Sequence, residues 1–433
     1  MKKLNLFIMT SWLLSLAPYF SQSQAPTTLQ SELLTIDQAV AEALEKNLGL
    51  LAERYNLTIA DARIVAARLR PNPVLSLGAD TLDLLGTGFD PQTNAGGPSN
   101  YSIRTDFLLE RGGKRQARLA VAEGNRAVAQ LQLLNTVRGI VLDVQNAFVD
   151  LQSAKDSLGL AQENLQTLHD IVGINEKRVK NGDLAEVELL RAQVAELQFE
   201  NSVRQAELRG KTAKAKLQIL LGRIRNARPF DIVGELRRDS TLPNQEALLT
   251  QAQQMRPDLL ALARDQARSQ AEIRNQLALG KVDYTLGSQY LRQADTAHTN
   301  TLGFFFQTNI PIFNRNQGEI ERARQEQRQI EARIRAMEAT VENDVEIAYQ
   351  QYATAQATLE KVERTMVGKA RDVRSITEYS YKRGEAKFVE FLDAQRAYND
   401  TMQAHNDARA DFARSLYGID AAIGTQASGG SRP

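Results

Sequence analysis

The chain has 433 residues and no cysteine, which excludes a disulfide framework, thiolate metal sites and a lipid-bearing N-terminal cysteine. Its 53 Lys and Arg stand against 52 Asp and Glu, so composition supplies no polybasic footprint for nucleic acid or for a membrane surface.

Met1-Lys2-Lys3, an apolar run from Leu4 to Phe20 and small residues at Ser21, Ser23 and Ala25 read as a secretory signal peptide over residues 1–23. A retained anchor fits less well, because about 17 apolar residues are short for a membrane-spanning helix and no basic stop follows. The mature chain is therefore read as exported.

Helical patterns follow at 36–46 and 49–69, then period-two alternation over about 73–82 and 100–110. Leu75, Leu77 and Ala79 share one strand face, and Tyr101, Ile103, Thr105, Phe107 and Leu109 share another. No proline occurs between Pro98 and Pro229, and this stretch is rich in helix formers. Val137, Val144, Leu151, Leu158, Leu165 and Val172 recur every seven residues within it, as a coiled-coil seam. The expectation is a helix over 114–180, about 100 Å long, a turn at Gly182, and a return helix over 185–221.

A linker is expected over 223–241, and then the order repeats. Short helices at 244–255 and 257–279 precede alternating strands at about 281–291 and 301–313. A second proline-free stretch predicts helices at 316–382 and 386–417, reversing at Gly384, with a seam through Ile330, Ile334, Met337, Val341, Val345, Ala348, Tyr352, Ala355, Leu359, Val362 and Met366. A flexible tail is expected over 419–433.

Residue matching makes the duplication explicit. At an offset of 209, Leu50-Leu51-Ala52 faces Leu259-Leu260-Ala261 and Leu77-Gly78 faces Leu286-Gly287. At an offset of 202, Lys180-Asn181-Gly182-Asp183 faces Lys382-Arg383-Gly384-Glu385. The chain divides into repeats at 34–222 and 242–418, and one architecture must serve both. The fold class is mainly α with transmembrane β, built from a duplicated helical-hairpin and β-hairpin unit. Strands apolar on one face and polar on the other match outer-membrane barrels, and recurrent aromatics on an exported chain favour that reading over soluble hairpins. Four strands cannot close a barrel, so the barrel is shared among two or more subunits.

Chemistry-bearing clusters are missing from the pattern. His169, His298 and His405 are far apart with no paired ligand spacing, and Arg111-Gly112-Gly113-Lys114-Arg115 lacks the spacing of a phosphate loop. No enzyme, metal site or cofactor is expected.

Across 34–424 the chain resembles the TolC-like outer membrane efflux family. The resemblance rests on the paired openings Leu34-Thr35-Ile36-Asp37-Gln38-Ala39-Val40 and Leu242-Pro243-Asn244-Gln245-Glu246-Ala247-Leu248. It rests also on Tyr381-Lys382-Arg383-Gly384 followed by Phe388-Val389-Glu390-Phe391-Leu392-Asp393-Ala394-Gln395. Ile310-Pro311-Ile312-Phe313-Asn314-Arg315-Asn316-Gln317-Gly318 and Glu110-Arg111-Gly112-Gly113-Lys114-Arg115 resemble the heavy-metal, CzcC-like branch.

This resemblance implies a homotrimer with a twelve-stranded outer-membrane barrel on a periplasmic helical tunnel. It implies docking on a periplasmic adaptor (membrane fusion) protein and an inner-membrane pump of the RND type, with outer-membrane lipid around the barrel. The function expected is passive conduction of metal cations or small toxic compounds. A type I protein-secretion channel is the rival on the same fold, and a periplasmic coiled-coil adaptor or scaffold is the rival of another class. Gly182, Gly384 and Tyr381 fall at the tip that docks the adaptor, and Glu188, Glu390 and Asp393 at acidic gate positions. Ala386 stands where the best-known pattern has an arginine gate partner, so a salt-bridged gate of that form is not expected. The alternative for the carboxylates is a solvated face with local Glu188–Arg191 and Asp393–Arg396 pairs.

Overall fold

The computed structural model describes residues 32–82, 84, 99–223, 229–239, 244–293 and 299–425. The signal peptide expected at 1–23 lies outside them, as does His298. The described chain enters through β1 (Glu32–Leu34) and turns into α1 (Ile36–Lys46) at Thr35. There the Thr35 hydroxyl accepts from the Gln38 N–H and the Gln38 carboxamide accepts from the Thr35 N–H, a capping box. Asn47 ends α1 and starts α2 (Leu48–Arg68) by accepting from the Leu50 N–H, while its Nδ2 donates to the Leu220 carbonyl at 2.9 Å.

Strands β2 (Val74–Asp80) and β3 (Asn100–Leu109) lead into α3 (Lys114–Lys180), an unbroken helix of 67 residues. It returns as α4 (Glu186–Leu220). After β4 (Phe230–Ile232) come α5 (Gln245–Met255), capped by Asn244, and α6 (Pro257–Leu279), which opens on a proline that the first helical turn tolerates. Strands β5 (Tyr284–Gln293) and β6 (Asn300–Thr308) precede α7 (Gln317–Lys361), a five-residue π-helical turn (Val362–Met366), α8 (Val367–Arg383) and α9 (Phe388–Ile423).

Helix α3 is the spine, packing against α4, α6, α2 and α9. One core gathers α1, α3 and α4 around Val144, Phe148, Leu217 and Leu221, closed by Phe230 and Ile232 of β4. Its counterpart gathers α5, α7 and α9 around Leu248, Val345, Tyr352, Phe412 and Leu416. A third lies where the hairpins reverse.

Several expectations are corrected. The stretch read as a linker at 223–241 contains β4, which pairs in parallel with β1, Leu33 opposite Asp231. Three residues on each side carry too little periodicity to read. The tail expected from 419 begins later, because α9 continues through Ile419 and Ile423, both buried, and ends at Gly424. The strand expected to reach 313 ends at Thr308. On α3 the strict heptad lapses between Leu151 and Val172, both buried: Leu158 and Leu165 are only half-buried, while Ala154, Ser157, Ala161, Asn164 and Leu168 are buried. A straight helix drifts against a seven-residue repeat, and α3 must face several neighbours. The π turn interrupts the second seam in the same way. Val362 is buried but Met366 is exposed, because the wide turn rotates the following face outward.

The larger sheet has the order β2-β3-β5-β6, antiparallel throughout. Its register aligns Leu77, Ile103, Tyr290 and Leu302 in one row, and Leu75, Thr105, Ser288 and Phe304 in the next. Apart from half-buried Tyr284, the large apolar members of that face are exposed, Phe304 at 80% and Phe306 at 62%. The other face carries Arg104 and Asp106, paired at 2.9 Å, with the Arg104 guanidinium 4.7 Å from the Phe305 ring. Strands β2 and β6 are open edges. No helix among the described residues is long and apolar enough to cross a membrane.

Candidate functional site

The two hairpin reversals are built alike. Gly182 has φ 81° and Gly384 φ 84°, a left-handed conformation that glycine adopts without steric cost. The Gly182 N–H donates to Val179 and the Asp183 N–H to Arg178, while Gly384 donates to Tyr381 and Glu385 to Ser380. Both are Schellman closures that satisfy the last helical carbonyls. A side chain at Gly182 would meet nothing within 4 Å, so its requirement is the backbone alone.

Between the turns sits an aromatic cluster. Tyr381 is 2% exposed, stacked on Phe391 at 5.6 Å and tilted against Phe388 at 5.9 Å. Its hydroxyl donates to Asn175 Oδ1 at 2.7 Å. Burial pushes the phenol above its ordinary range against the lowering effects of Asn175 and Arg178, which keeps it a neutral donor. Arg178 reaches across from α3 to the carbonyls of Tyr381 at 3.3 Å and Lys382 at 2.6 Å, capping α8 from a neighbouring helix. One turn deeper, Gln395 donates to Asn164 and Asn164 to Asn399, a buried polar layer joining α9 to α3. Such layers fix the register of packed helices.

The acidic candidates are not gathered into one constellation within the protomer. Glu188 accepts from Arg191 at 2.7 Å, the local pair the sequence suggested. Glu390 accepts from the Lys387 N–H at 3.0 Å and caps α9. Asp393 is exposed and makes no hydrogen bond or ion pair among the described residues, and Arg396 turns instead to Gln198. Gly182, Gly384 and Tyr381 lie at the same end of the molecule. Asn175 and Arg178 hold the reversal together, and sequence reading missed both. Asn175 continues the buried stripe from Leu168 and Ile171, and a polar residue at a seam position was the available signal. Arg178 reads only as a basic residue in a last helical turn.

The histidines lie elsewhere. His169 is exposed and bonded to Glu196 at 2.7 Å, and His405 faces Glu363 at 3.1 Å. Among the described residues, no three His, Cys, Asp or Glu side chains gather as a metal-binding group.

The family model for outer membrane efflux proteins matches residues 39–223 and 248–425. The cobalt-zinc-cadmium resistance protein CzcC of Cupriavidus metallidurans is 24% identical over 366 residues, covering 84% of this chain and 83% of that protein. Among solved structures, CusC superposes with a TM-score of 0.74 at 18% identity, covering 91% of this chain and 93% of that one. The Campylobacter jejuni outer membrane channel CmeC gives 0.70 at 15% identity, covering 90% and 85%. A duplicated strand-and-hairpin chain, matched by one family model in both of its halves, belongs to the outer membrane efflux protein family and is an outer-membrane efflux channel with a periplasmic helical tunnel.

Proposed function

We propose that three copies of this chain close a twelve-stranded barrel on a tunnel of long helices, and that this assembly is a passive exit duct. The observation that carries the reading is the open four-stranded sheet, with unpaired edges at β2 and β6 and one largely exposed apolar face. Open edges are not tolerated in lipid, so copies pair edge to edge. Two copies would give about eight strands, whose interior side chains fill, whereas twelve leave a lumen. The Arg104 and Asp106 face lines that lumen. Substrate arrives from an inner-membrane pump of the RND type through a periplasmic adaptor. Metal cations are the substrate class favoured by the similarity to CzcC, with small toxic compounds as the alternative.

Gly182 and Gly384 form the adaptor-docking tip, and Tyr381, being buried, holds that tip in shape from within. Glu188, Glu390 and Asp393 form the acidic gate. Cysteines placed at Phe305 and Gln307 are expected to react with a water-soluble thiol reagent in intact membranes, and those at Phe304 and Phe306 to stay unlabelled. Heat-resistant trimers in the outer-membrane fraction should accompany this pattern. Equal labelling of all four positions would remove the barrel.

For the gate, replacing Glu390 and Asp393 together with alanine should lower cation selectivity and change single-channel conductance in planar bilayers, because a threefold axis repeats the two carboxylates. An unchanged conductance and reversal potential, with trimers intact, would leave these residues as solvated helix-face charges.

A further inference from the structure

At the helix end of the sheet, five cations from distant parts of the chain come to one level. Arg70 and Arg115 line a cleft of about 400 Å³ together with Lys114 and Glu110. Next along the arc, the Arg111 guanidinium lies 4.4 Å from the Tyr284 ring and donates to its hydroxyl. The Lys281 stem crosses directly over Gly112, where an added Cβ would fall 2.5 Å from Lys281 Cδ. Arg315 closes the arc, its carbonyl 2.7 Å from the position of a Cβ on Gly280.

The acids nearby are already engaged. Asp283 accepts from Lys114 Nζ at 2.7 Å and from the Arg111 N–H at 2.9 Å, and Glu110 is paired with Arg118. Arg70, Arg111, Arg115, Lys281 and Arg315 therefore carry no ion-pair partner among the described residues. Structural cations at a strand-to-helix joint are ordinarily neutralised locally, as Lys114 and Arg118 are here. An unneutralised arc invites an external anion.

Exposed apolar side chains border the arc. Ile310, Ile312 and Phe313 are 77%, 63% and 90% exposed shortly before Arg315, and Leu69 is 64% exposed immediately before Arg70. Ile310, Ile312 and Phe313 lie just past the last paired row of β6, Tyr284 opposite Thr308, and Leu69 lies just before β2. Apolar groups followed at once by unpaired cations are the order in which a bilayer presents acyl chains and then phosphates.

We propose that Arg70, Arg111, Arg115, Lys281 and Arg315 form, in each protomer, one arc of a cationic belt that binds anionic phospholipid headgroups of the leaflet on the tunnel side. The belt fixes the depth at which the barrel sits, with Phe313 and Ile310 in the acyl boundary beside it. This rests on the barrel reading above. Lipid is the occupant because exposed apolar side chains adjoin the arc, whereas a soluble anion would gain nothing from the neighbouring Phe313.

The test uses the purified full-length oligomer and vesicles of phosphatidylcholine with or without phosphatidylglycerol. Phospholipid retained after gentle detergent extraction is counted by native mass spectrometry. Wild-type protein should retain phosphatidylglycerol over phosphatidylcholine by about tenfold or more, since each basic residue near an anionic surface shifts association several-fold. The variant with all five cations changed to glutamine should lose that preference. Arg70→Gln/Lys281→Gln removes two exposed cations whose side chains make no hydrogen bond among the described residues. It should lose part of the preference, and it guards against misfolding of the larger variant. Arg209→Gln/Lys211→Gln on α4 should behave as wild type.

A wild-type oligomer that enters vesicles yet shows no preference would overturn the belt and leave the barrel standing. So would a five-glutamine variant that keeps the preference. A protein that floats with neither vesicle would overturn the barrel reading itself, and the belt with it.

Discussion

Tyr381→Ala is expected to loosen the tunnel tip, at a local cost of about 3–5 kcal/mol, the range for removing a fully buried aromatic ring. Three contacts go together: the stack on Phe391, the packing on Phe388 and the hydroxyl bond to Asn175. The loss is severe for the tip because its core is small, with Leu168, Ile171, Phe388 and Phe391 as the main remaining apolar mass. Whole domains are stable by only about 5–15 kcal/mol. Conductance in planar bilayers should rise, and protease should cut near Gly384. Tyr381→Phe keeps the ring and leaves Asn175 Oδ1 without its donor, which costs about 1–3 kcal/mol and should produce a smaller change in the same direction. If both variants conduct and resist protease as wild type does, Tyr381 is not what holds the tip in shape.

Arg256→Ala is expected to cost about 3–5 kcal/mol, as breaking a buried ion pair by removing one partner does. The Arg256 side chain is 3% exposed and donates to Asp258 at 3.1 and 2.7 Å and to Asp344 at 2.7 Å. Arg138 of α3 adds a bond to Asp258 at 3.1 Å and another to the Ala421 carbonyl of α9 at 2.9 Å. Four helices, α3, α6, α7 and α9, meet in this network. Most of the cost falls on Asp258, whose side chain is 14% exposed, because Asp344 at 41% can recover water.

The same network sets an acid dependence. Burial pushes the Asp258 carboxyl up, but the Arg256 hydrogen bonds and the Arg138 and Arg256 charges outweigh it and hold the group below its ordinary range. A depressed carboxylate contributes stability that is complete above its unfolded pKa of about 3.9 and is lost as the pH falls through the folded value. The wild-type lead over Arg256→Ala should therefore be full at neutral pH and shrink below about pH 4. The midpoint of thermal unfolding, followed by helical circular dichroism, gives the comparison. Equal midpoints at neutral pH would show that the network carries no net stability.

The repeat, the helix pairs, the strand alternation and the turn glycines were legible because each is a local property. Periodicity of two or 3.6 is written in neighbouring residues, and a left-handed turn needs glycine whatever surrounds it.

What remained hidden depends on residues far apart in sequence. The β1 and β4 pair brings Leu33 beside Asp231, and neither three-residue segment announces itself alone. The heptad through Leu158 and Leu165 failed because one long helix answers to several partners at once. Asp393 looked able to pair with Arg396, yet Arg396 found Gln198 on another helix.

Segment type, duplication and the apolar strand face all follow from backbone preference and spacing, so the linear order of residues carries them whole. Which charges are neutralised is settled by three-dimensional placement instead. A near-zero net charge predicted no basic membrane footprint, but the fold brings Asp283 to Lys114 and Glu110 to Arg118 and leaves Arg70, Arg111, Arg115, Lys281 and Arg315 at one level without acids. Composition sums charge over the whole chain, whereas an electrostatic field falls off within roughly 10 Å, so placement rather than total decides what a surface attracts.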